Sequence, residues 1–132
     1  MAFSPLGRGF LGGELLDAGT LGEKDVRSAM PRFSAENYPR NLRLLAPLRE
    51  IAEQAGCSLA ALAIAWVLHQ GRHVIALPGT TQRKHLDEDL QGAQVKLSAE
   101  QLEALDQLFQ PSAIAGHRYA LQGQKEVDTE EY

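Results

Sequence analysis

The residues of this chain best placed to do chemistry lie in two short turns. In the stretch His73–Leu90, HVIALPGTTQRKHLDEDL, the apolar run Val74, Ile75, Ala76 and Leu77 reads as a buried parallel strand. Pro78 and Gly79 stop that strand, and Thr80 or Thr81 can cap the helix that follows. A strand that ends in a tight turn against a helix N-terminus offers backbone N–H groups and the positive end of the helix dipole, which suit a phosphate. Arg83 and Lys84 add cations in the first helical turn, where the dipole disfavours them. A nearby anion would account for that placement, and so would plain solvation at the surface. The second turn is at Phe3–Gly13, FSPLGRGFLGG. There Ser4-Pro5-Leu6-Gly7 reads as a strand end breaking into a turn. Gly7, Gly9, Gly12 and Gly13 let the backbone approach a ligand closely, with the Arg8 charge beside it. The same glycines would equally suit a flexible N-terminal arm.

The elements that must position these turns can be read from periodicity. From about Tyr38 to Ala55, Leu42, Leu45, Leu48, Ile51, Ala52 and Ala55 recur at three- and four-residue steps and predict an amphipathic helix ended by Gly56. Pro47 inside it should bend or weaken it. Ser58 can cap a second helix running to about His69, whose Leu59, Leu62, Ala63, Ala65, Trp66 and Leu68 leave almost no polar face and predict burial. Gly71 releases the chain into the strand. Ser98, with Gln101 three residues on, has the form of a capping box. The helix it starts carries Leu102, Leu105, Leu108 and Phe109 as its stripe and is closed by Pro111. Between Glu14 and Arg32, Gly19, Gly22 and Pro31 predict an irregular excursion with one short helical turn. Arg32, Phe33, Asn37 and Tyr38 are candidates for contacts at a helix start, with packing under a loop the commoner fate of Phe33 and Tyr38. His69 and His73 flank the strand entry and read as structural or surface residues. The last stretch, 116–132, has few apolar residues and the acids Glu126, Asp128, Glu130 and Glu131, which predict a mobile or partner-dependent tail after a domain spanning 1–115.

Bulk properties narrow the classes. The chain has 132 residues and a formal charge of −4, which argues against nucleic acid or an anionic membrane as the main partner. Four histidines and one cysteine make neither a metal nor a disulfide framework, and Cys57 at a helix start reads as a reduced, semi-buried residue. No apolar run approaches the roughly 20 residues of a membrane span, and Met1-Ala-Phe-Ser-Pro lacks the regions of a signal peptide, so a cytoplasmic location is expected.

The two turns together resemble a known family. LPGTTQRKHLDEDL is similar to the last strand–turn–helix unit of the aldo/keto reductases, and FSPLGRGFLGG is similar to the loop that ends the preceding strand. The resemblance implies an α/β fold, the C-terminal part of a (β/α)8 TIM barrel. That part comprises the last two strand–helix units plus the C-terminal helix, and is predominantly helical as an isolated chain. A complete barrel needs about 250 residues, so missing barrel strands on a longer natural chain, or copies of this chain, are expected to cover the sheet edges. A rearranged, mostly helical bundle is the remaining option. By the resemblance the cofactor is NADP (NADPH), possibly NAD. Ser4, Leu6 and Gly7 would line its pyrophosphate, with Pro5 and Arg8 in the same loop, and Phe3 would stand where the family often stacks an aromatic ring on the nicotinamide. Gly79, Thr80, Thr81, Gln82 and Arg83 would surround the phosphate on the adenosine ribose, with His85 nearby and Glu88 and Asp89 close to the adenine. Two positions depart from the family. Asp89 replaces a frequent asparagine, exchanging an amide that can donate for a carboxylate that accepts only. His85 stands where many members carry arginine or glutamine, which weakens recognition of a 2′-phosphate.

Hydride transfer to a carbonyl also needs a proton donor at the carbonyl oxygen. In this family it is a tyrosine assisted by lysine, aspartate and histidine on earlier strands, and no stretch of this chain matches those motifs. Tyr38, Tyr119, Tyr132 and the histidines are not carried over as catalytic, and no metal site is expected. The expectation is therefore the cofactor-binding portion of a reductase of small carbonyl substrates, inactive alone. A non-catalytic nucleotide-binding or assembly module is the alternative, and a helical interaction domain a third reading. No GxGxxG follows a strand, which gives a Rossmann fold little support.

Overall fold

Local signals in the sequence account for most of the helices. A computed structural model of the chain describes residues 1–126. Ser58 accepts from the Ala61 N–H at 3.1 Å and starts α3, Leu59–His69. Ser98 starts α5, Ala99–Leu108, through a complete capping box in which the Gln101 N–H donates to Ser98 Oγ at 3.2 Å and the Ser98 N–H donates to Gln101 Oε1 at 2.9 Å. Gly56, at φ 65°, adopts the left-handed backbone that ends the preceding helix.

The single helix expected over Tyr38–Ala55 is two helices, α1 at Tyr38–Leu42 and α2 at Leu45–Ala55. Pro47 is the cause. It sits in the first turn of α2, where its missing N–H costs nothing, and its ring crowds the carbonyl four residues earlier, at Arg43, where the break falls. The excursion over Glu14–Arg32 is also more ordered than the one helical turn expected. Tight 3₁₀ turns occupy Ala18–Thr20, Val26–Ala29 and Pro31–Phe33. Asp17 and Asp25 start the first two by accepting from Gly19 N–H at 2.8 Å and Arg27 N–H at 2.9 Å, and Pro31 opens the third.

β1, Ala2–Phe3, pairs in parallel with β2, Ala76–Leu77, in the register Ala2 to Ala76 and Phe3 to Leu77. The strand expected over Val74–Leu77 is shortened because the ladder extends only as far as its two-residue partner. Phe3, Ile75 and Leu77 remain more than half exposed. Leu45, Leu48, Ile51 and Ala52 of α2 pack on Leu62 of α3 and Leu105 of α5 to form the core. At its edge the Trp66 and Phe109 rings lie 4.6 Å apart and Trp66 Nε1 donates to Asp106 at 2.7 Å. Seven residues of α3 are buried, as its all-round apolar face requires. α4, Arg83–Gly92, lies against α3. The approach is so close that a Cβ on Gly92 would fall 2.7 Å from Ile64 Cβ.

Ala115 and Gly116 are tied to the rest. Buried Asn41 holds Ala115 at both ends of its backbone unit, donating to its carbonyl at 3.0 Å and accepting from its N–H at 2.8 Å. Arg32 Nε donates to the Gly116 carbonyl at 3.2 Å, and a short helix, α6, spans Leu121–Gln124. The acids Asp128, Glu130 and Glu131, and Tyr132, lie outside the described residues. Among the described residues no single helix is long and apolar enough to cross a membrane.

Candidate functional site

The parallel pairing of β1 and β2 brings the two turns side by side. The chain leaves β1 through a strained loop. Ser4 and Arg8 adopt φ 50° and 60°, a region that side-chain-bearing residues seldom occupy, and Gly7, Gly9 and Gly13 are left-handed as well. Such conformations persist only where the surroundings enforce them, and the contacts here do so. The Gly7 N–H donates to the Ser4 carbonyl at 2.9 Å, and the Gly9 and Leu11 N–H groups both donate to the Leu6 carbonyl at 3.0 Å. Arg27 reaches from the excursion to the Arg8 carbonyl at 3.3 Å while clamping Asp25 at 2.7 and 3.0 Å. That guanidinium holds the Asp25 carboxyl down to about 2. Arg49 binds the Gly13 carbonyl at 3.2 Å, and a Cβ on Gly13 would meet Leu59 at 2.7 Å.

The turn after β2 is simpler. Neither threonine caps α4. Thr80 Oγ1 accepts from the Gln82 N–H at 3.1 Å, closing a local turn, and Gln82 itself takes the cap position without a side-chain bond. The threonine hydroxyl is consumed two residues on, one residue short of the helix, and Thr81 is exposed.

Between the turns lies a cleft of about 730 Å³, a size usual for small-molecule sites. Of the residues singled out from the sequence, Phe3, Ser4, Pro5, Leu6, Arg8, Gly79, Thr80, His85, Glu88 and Asp89 line it. Gly7, Thr81, Gln82 and Arg83 do not. Gly7 faces a second cavity of about 310 Å³ on the other side of Phe3, walled by Phe10, Phe33, Tyr38, Trp66 and Phe109 among others. Arg83 is exposed, and Lys84 lies 3.9 Å from Glu88 on the surface of α4. Ser4 lines that second cavity together with Gly7, and a smaller third one with Gly7 and Arg8, so the loop borders more than one hollow. The Arg118 guanidinium covers the Phe3 ring at 5.9 Å.

The acidic side of the cleft has one unusual member. Asp89 is 6 % exposed, and its Oδ1 has no hydrogen-bond partner among the described residues. Burial pushes its carboxyl up, the His85 imidazole draws it down, and Glu88 pushes it up again. His85 in turn lies 3.7 Å from Glu14 across the cleft. A buried carboxylate oxygen without a donor carries a desolvation cost that a ligand N–H or O–H would relieve.

Several lining residues were not legible as site residues. Gly9 and Gly12 belong to the glycine-rich loop already noted. Glu14 and Ala60 carried no local signal, since their place depends on the packing of α3 beneath both turns. Phe33 and Tyr38 pack under the excursion, stacked at 5.3 Å, with the Tyr38 hydroxyl donating to the Leu15 carbonyl at 2.6 Å. Asn37 binds the Pro31 carbonyl at 2.9 Å. His69 Nδ1 lies 2.8 Å from the Ala65 carbonyl within its own helix. Cys57 is a free, partly buried thiol pushed up by burial. Among the described residues no three His, Cys, Asp or Glu are placed to hold a metal ion.

Comparison with known proteins follows the same two turns. The sequence model of the aldo/keto reductase family matches residues 1–110. The chain is 37 % identical over 131 residues to the aldo-keto reductase str7 of Strobilurus tenacellus, covering 99 % of this chain and 39 % of that protein. The structure resembles that of a glycerol dehydrogenase from Gluconobacter oxydans with a TM-score of 0.73 and 31 % identity, over 82 % of this chain and 33 % of the other. The chain thus spans between a third and two-fifths of the length of these relatives. With its β1 and β2 loops folded against one cleft and the family pattern running through both, this chain belongs to the aldo/keto reductase family.

Proposed function

We propose that this chain is the dinucleotide-holding C-terminal part of an aldo/keto reductase barrel, comprising its last two strand–helix units and a closing helix. The reaction centre would lie on strands the chain does not contain. The observation that carries this reading is the shared cleft. Ser4, Leu6 and Arg8 on one side and Leu77, Gly79, Thr80 and Asp89 on the other, some seventy positions apart in the sequence, line one groove because β1 and β2 pair in parallel. The exposed Ile75 beside that pair supports the barrel assignment, since the rest of a barrel would cover it.

The residues fit a nicotinamide dinucleotide. A cleft near 730 Å³ has the right scale, and the buried, donor-less Asp89 Oδ1 asks for a ligand hydrogen-bond donor. Arg8 would face the pyrophosphate, Phe3 the nicotinamide ring, and Gly79, Thr80 and His85 the adenosine ribose. Glu88 and Asp89 would accept from the adenine amino group. NADP would set its 2′-phosphate against the His85 side, and NAD would set a hydroxyl there. When bound, the dinucleotide supplies the hydride that converts a small carbonyl compound to an alcohol. The chain's own groups would bind and orient it, and the proton for the carbonyl oxygen would come from strands outside this chain, since no stretch here matches the family's catalytic tyrosine, lysine, aspartate and histidine motifs.

Titration of the purified chain with NADH and NADPH tests the reading. Micromolar binding of at least one, weakened by Arg8→Ala and without turnover of small aldehydes or ketones, is the expected result. Absence of binding to both refutes the cleft as a dinucleotide site. Rapid carbonyl reduction by this chain alone refutes the placement of the reaction centre elsewhere.

A further inference from the structure

We infer that a small hollow beside Phe3, ringed by Arg8, Arg32 and Arg118, holds a carboxylate of the carbonyl substrate, so that the complete enzyme acts on short oxo acids in preference to neutral aldehydes and ketones. This rests on the larger cleft being the dinucleotide site, with Phe3 against the nicotinamide. The hollow, of about 100 Å³, adjoins that cleft and shares Phe3, Ser4 and Arg8 with it. Its volume is well below that of a whole-ligand pocket, so it suits a head group. Its lining carries three guanidiniums and, among the described residues, no carboxylate. Three like charges around so small a space repel one another, and an anion set between them turns that repulsion into attraction. A carboxylate matches the donors in shape as well, because two parallel N–H bonds from a planar guanidinium meet its two oxygens.

Three separate segments build the hollow. Arg8, at φ 60°, and Ser4, at φ 50°, come from the strained loop that leaves β1. Arg32 comes from the 3₁₀ turn Pro31–Phe33, and its Nε donates to the Gly116 carbonyl at 3.2 Å. That bond, with those of Asn41 to Ala115 at 2.8 and 3.0 Å, holds the returning chain against the excursion. The seat is close. Gly116 is left-handed at φ 87°, and a Cβ there would fall 2.7 Å from Asn37 Nδ2 and 2.8 Å from the Pro31 carbonyl carbon. Two residues on, the Arg118 guanidinium lies 5.9 Å from the centre of the Phe3 ring, and Tyr119 adds a phenol to the lining. Asp25, the acid of the neighbouring turn, is paired with Arg27 at 2.7 Å. Arg8 lines the dinucleotide cleft too, so Arg32 and Arg118 are the pair assigned to the substrate. With the carboxylate held beside Phe3 and the nicotinamide stacked on that ring, only a short carbon chain fits between carboxylate and carbonyl.

Levulinate, a short oxo acid, and its neutral methyl ester are the probes, titrated into the purified chain at neutral pH and low salt and followed by NMR shifts. Levulinate should bind at least about tenfold tighter than the ester, the scale of one hydrogen-bonded charged pair, and added salt should shrink that advantage. Arg118→Gln should remove most of the difference and leave NADH affinity unchanged. Arg118→Lys keeps the charge and loses the fork, so it should retain part of the preference, and it keeps the test valid where the glutamine variant alters folding. Equal binding of acid and ester, or a preference that both variants leave intact, overturns the inference while the dinucleotide site stands. Inorganic phosphate bound where levulinate is not assigns the arginines to a phosphate and overturns it likewise. Levulinate held by a chain that binds neither NADH nor NADPH supports the carboxylate site and overturns the dinucleotide reading.

Discussion

Replacing Gly92 by alanine should loosen the helix pair on which the cleft is built. A Cβ at position 92 would lie 2.7 Å from Ile64 Cβ, 2.8 Å from Ile64 Cγ2 and 3.0 Å from the Ala61 carbonyl. Carbon–carbon contacts are comfortable near 3.5–4.0 Å, so α4 must move off α3 by about an ångström. Two of the three obstacles are a β-carbon and a backbone carbonyl, which no rotamer change can remove. Overpacking of this kind costs about 1–3 kcal/mol. The better helix propensity of alanine returns at most about 1 kcal/mol, less at the last helical residue. The net expectation is a loss of about 1–2 kcal/mol, read as a lower urea midpoint at unchanged slope, with a larger loss for Gly92→Val. Gly79→Ala is the control, because a Cβ there meets nothing within 4 Å, and it should be near neutral. Asp89 lies three residues before Gly92 on the same face, so Gly92→Ala should also weaken nucleotide binding. A Gly92→Ala variant as stable as its parent, or a valine variant more stable than the alanine, would refute the packing argument.

Other outcomes follow from the same contacts. Asn41→Ala strips partners from the Ala115 N–H, the Ala115 carbonyl and the Arg32 carbonyl. At about 1–3 kcal/mol for a buried group left unpaired, and less than additively, it should cost about 3 kcal/mol by chemical denaturation; a loss below about 1 kcal/mol would show that these groups find water instead. Asp89 has a carboxyl raised by burial, so the folded state favours its protonated form. Its contribution is most favourable below the unfolded value of 3.8 and is lost as pH rises through the higher folded value. The stability advantage of Asp89→Asn should therefore grow with pH across that window and then level off. A pH-independent difference between the two proteins would contradict the burial of that charge.

Features read correctly in advance are those whose cause lies within four residues. The Ser58 cap, the Ser98–Gln101 box and the Gly56 stop depend only on the hydrogen bonds of one helix end, and they appear where the sequence puts them. The all-apolar surface of α3 likewise required burial wherever the helix went. Local reading failed where two local rules competed. Pro47 predicts a bent or weakened helix without fixing where, and its ring splits the segment four residues upstream. Thr80 and Thr81 both have cap chemistry, and the nearest N–H to Thr80 was that of Gln82 in its own turn.

What the sequence determined alone was the membership and order of the two turns, because glycines, prolines and hydroxyls write their backbone preferences into adjacent positions. Only the tertiary structure decided which side chains share the cleft. The parallel pairing of Ala2–Phe3 with Ala76–Leu77 spans more than seventy residues, and the close seat of Gly92 on Ile64 sets how deeply Asp89 is buried. Glu14 and Ala60 enter the lining through contacts between residues far apart in the chain. No local pattern encodes such contacts, because their energy exists only once α3 lies beneath both loops.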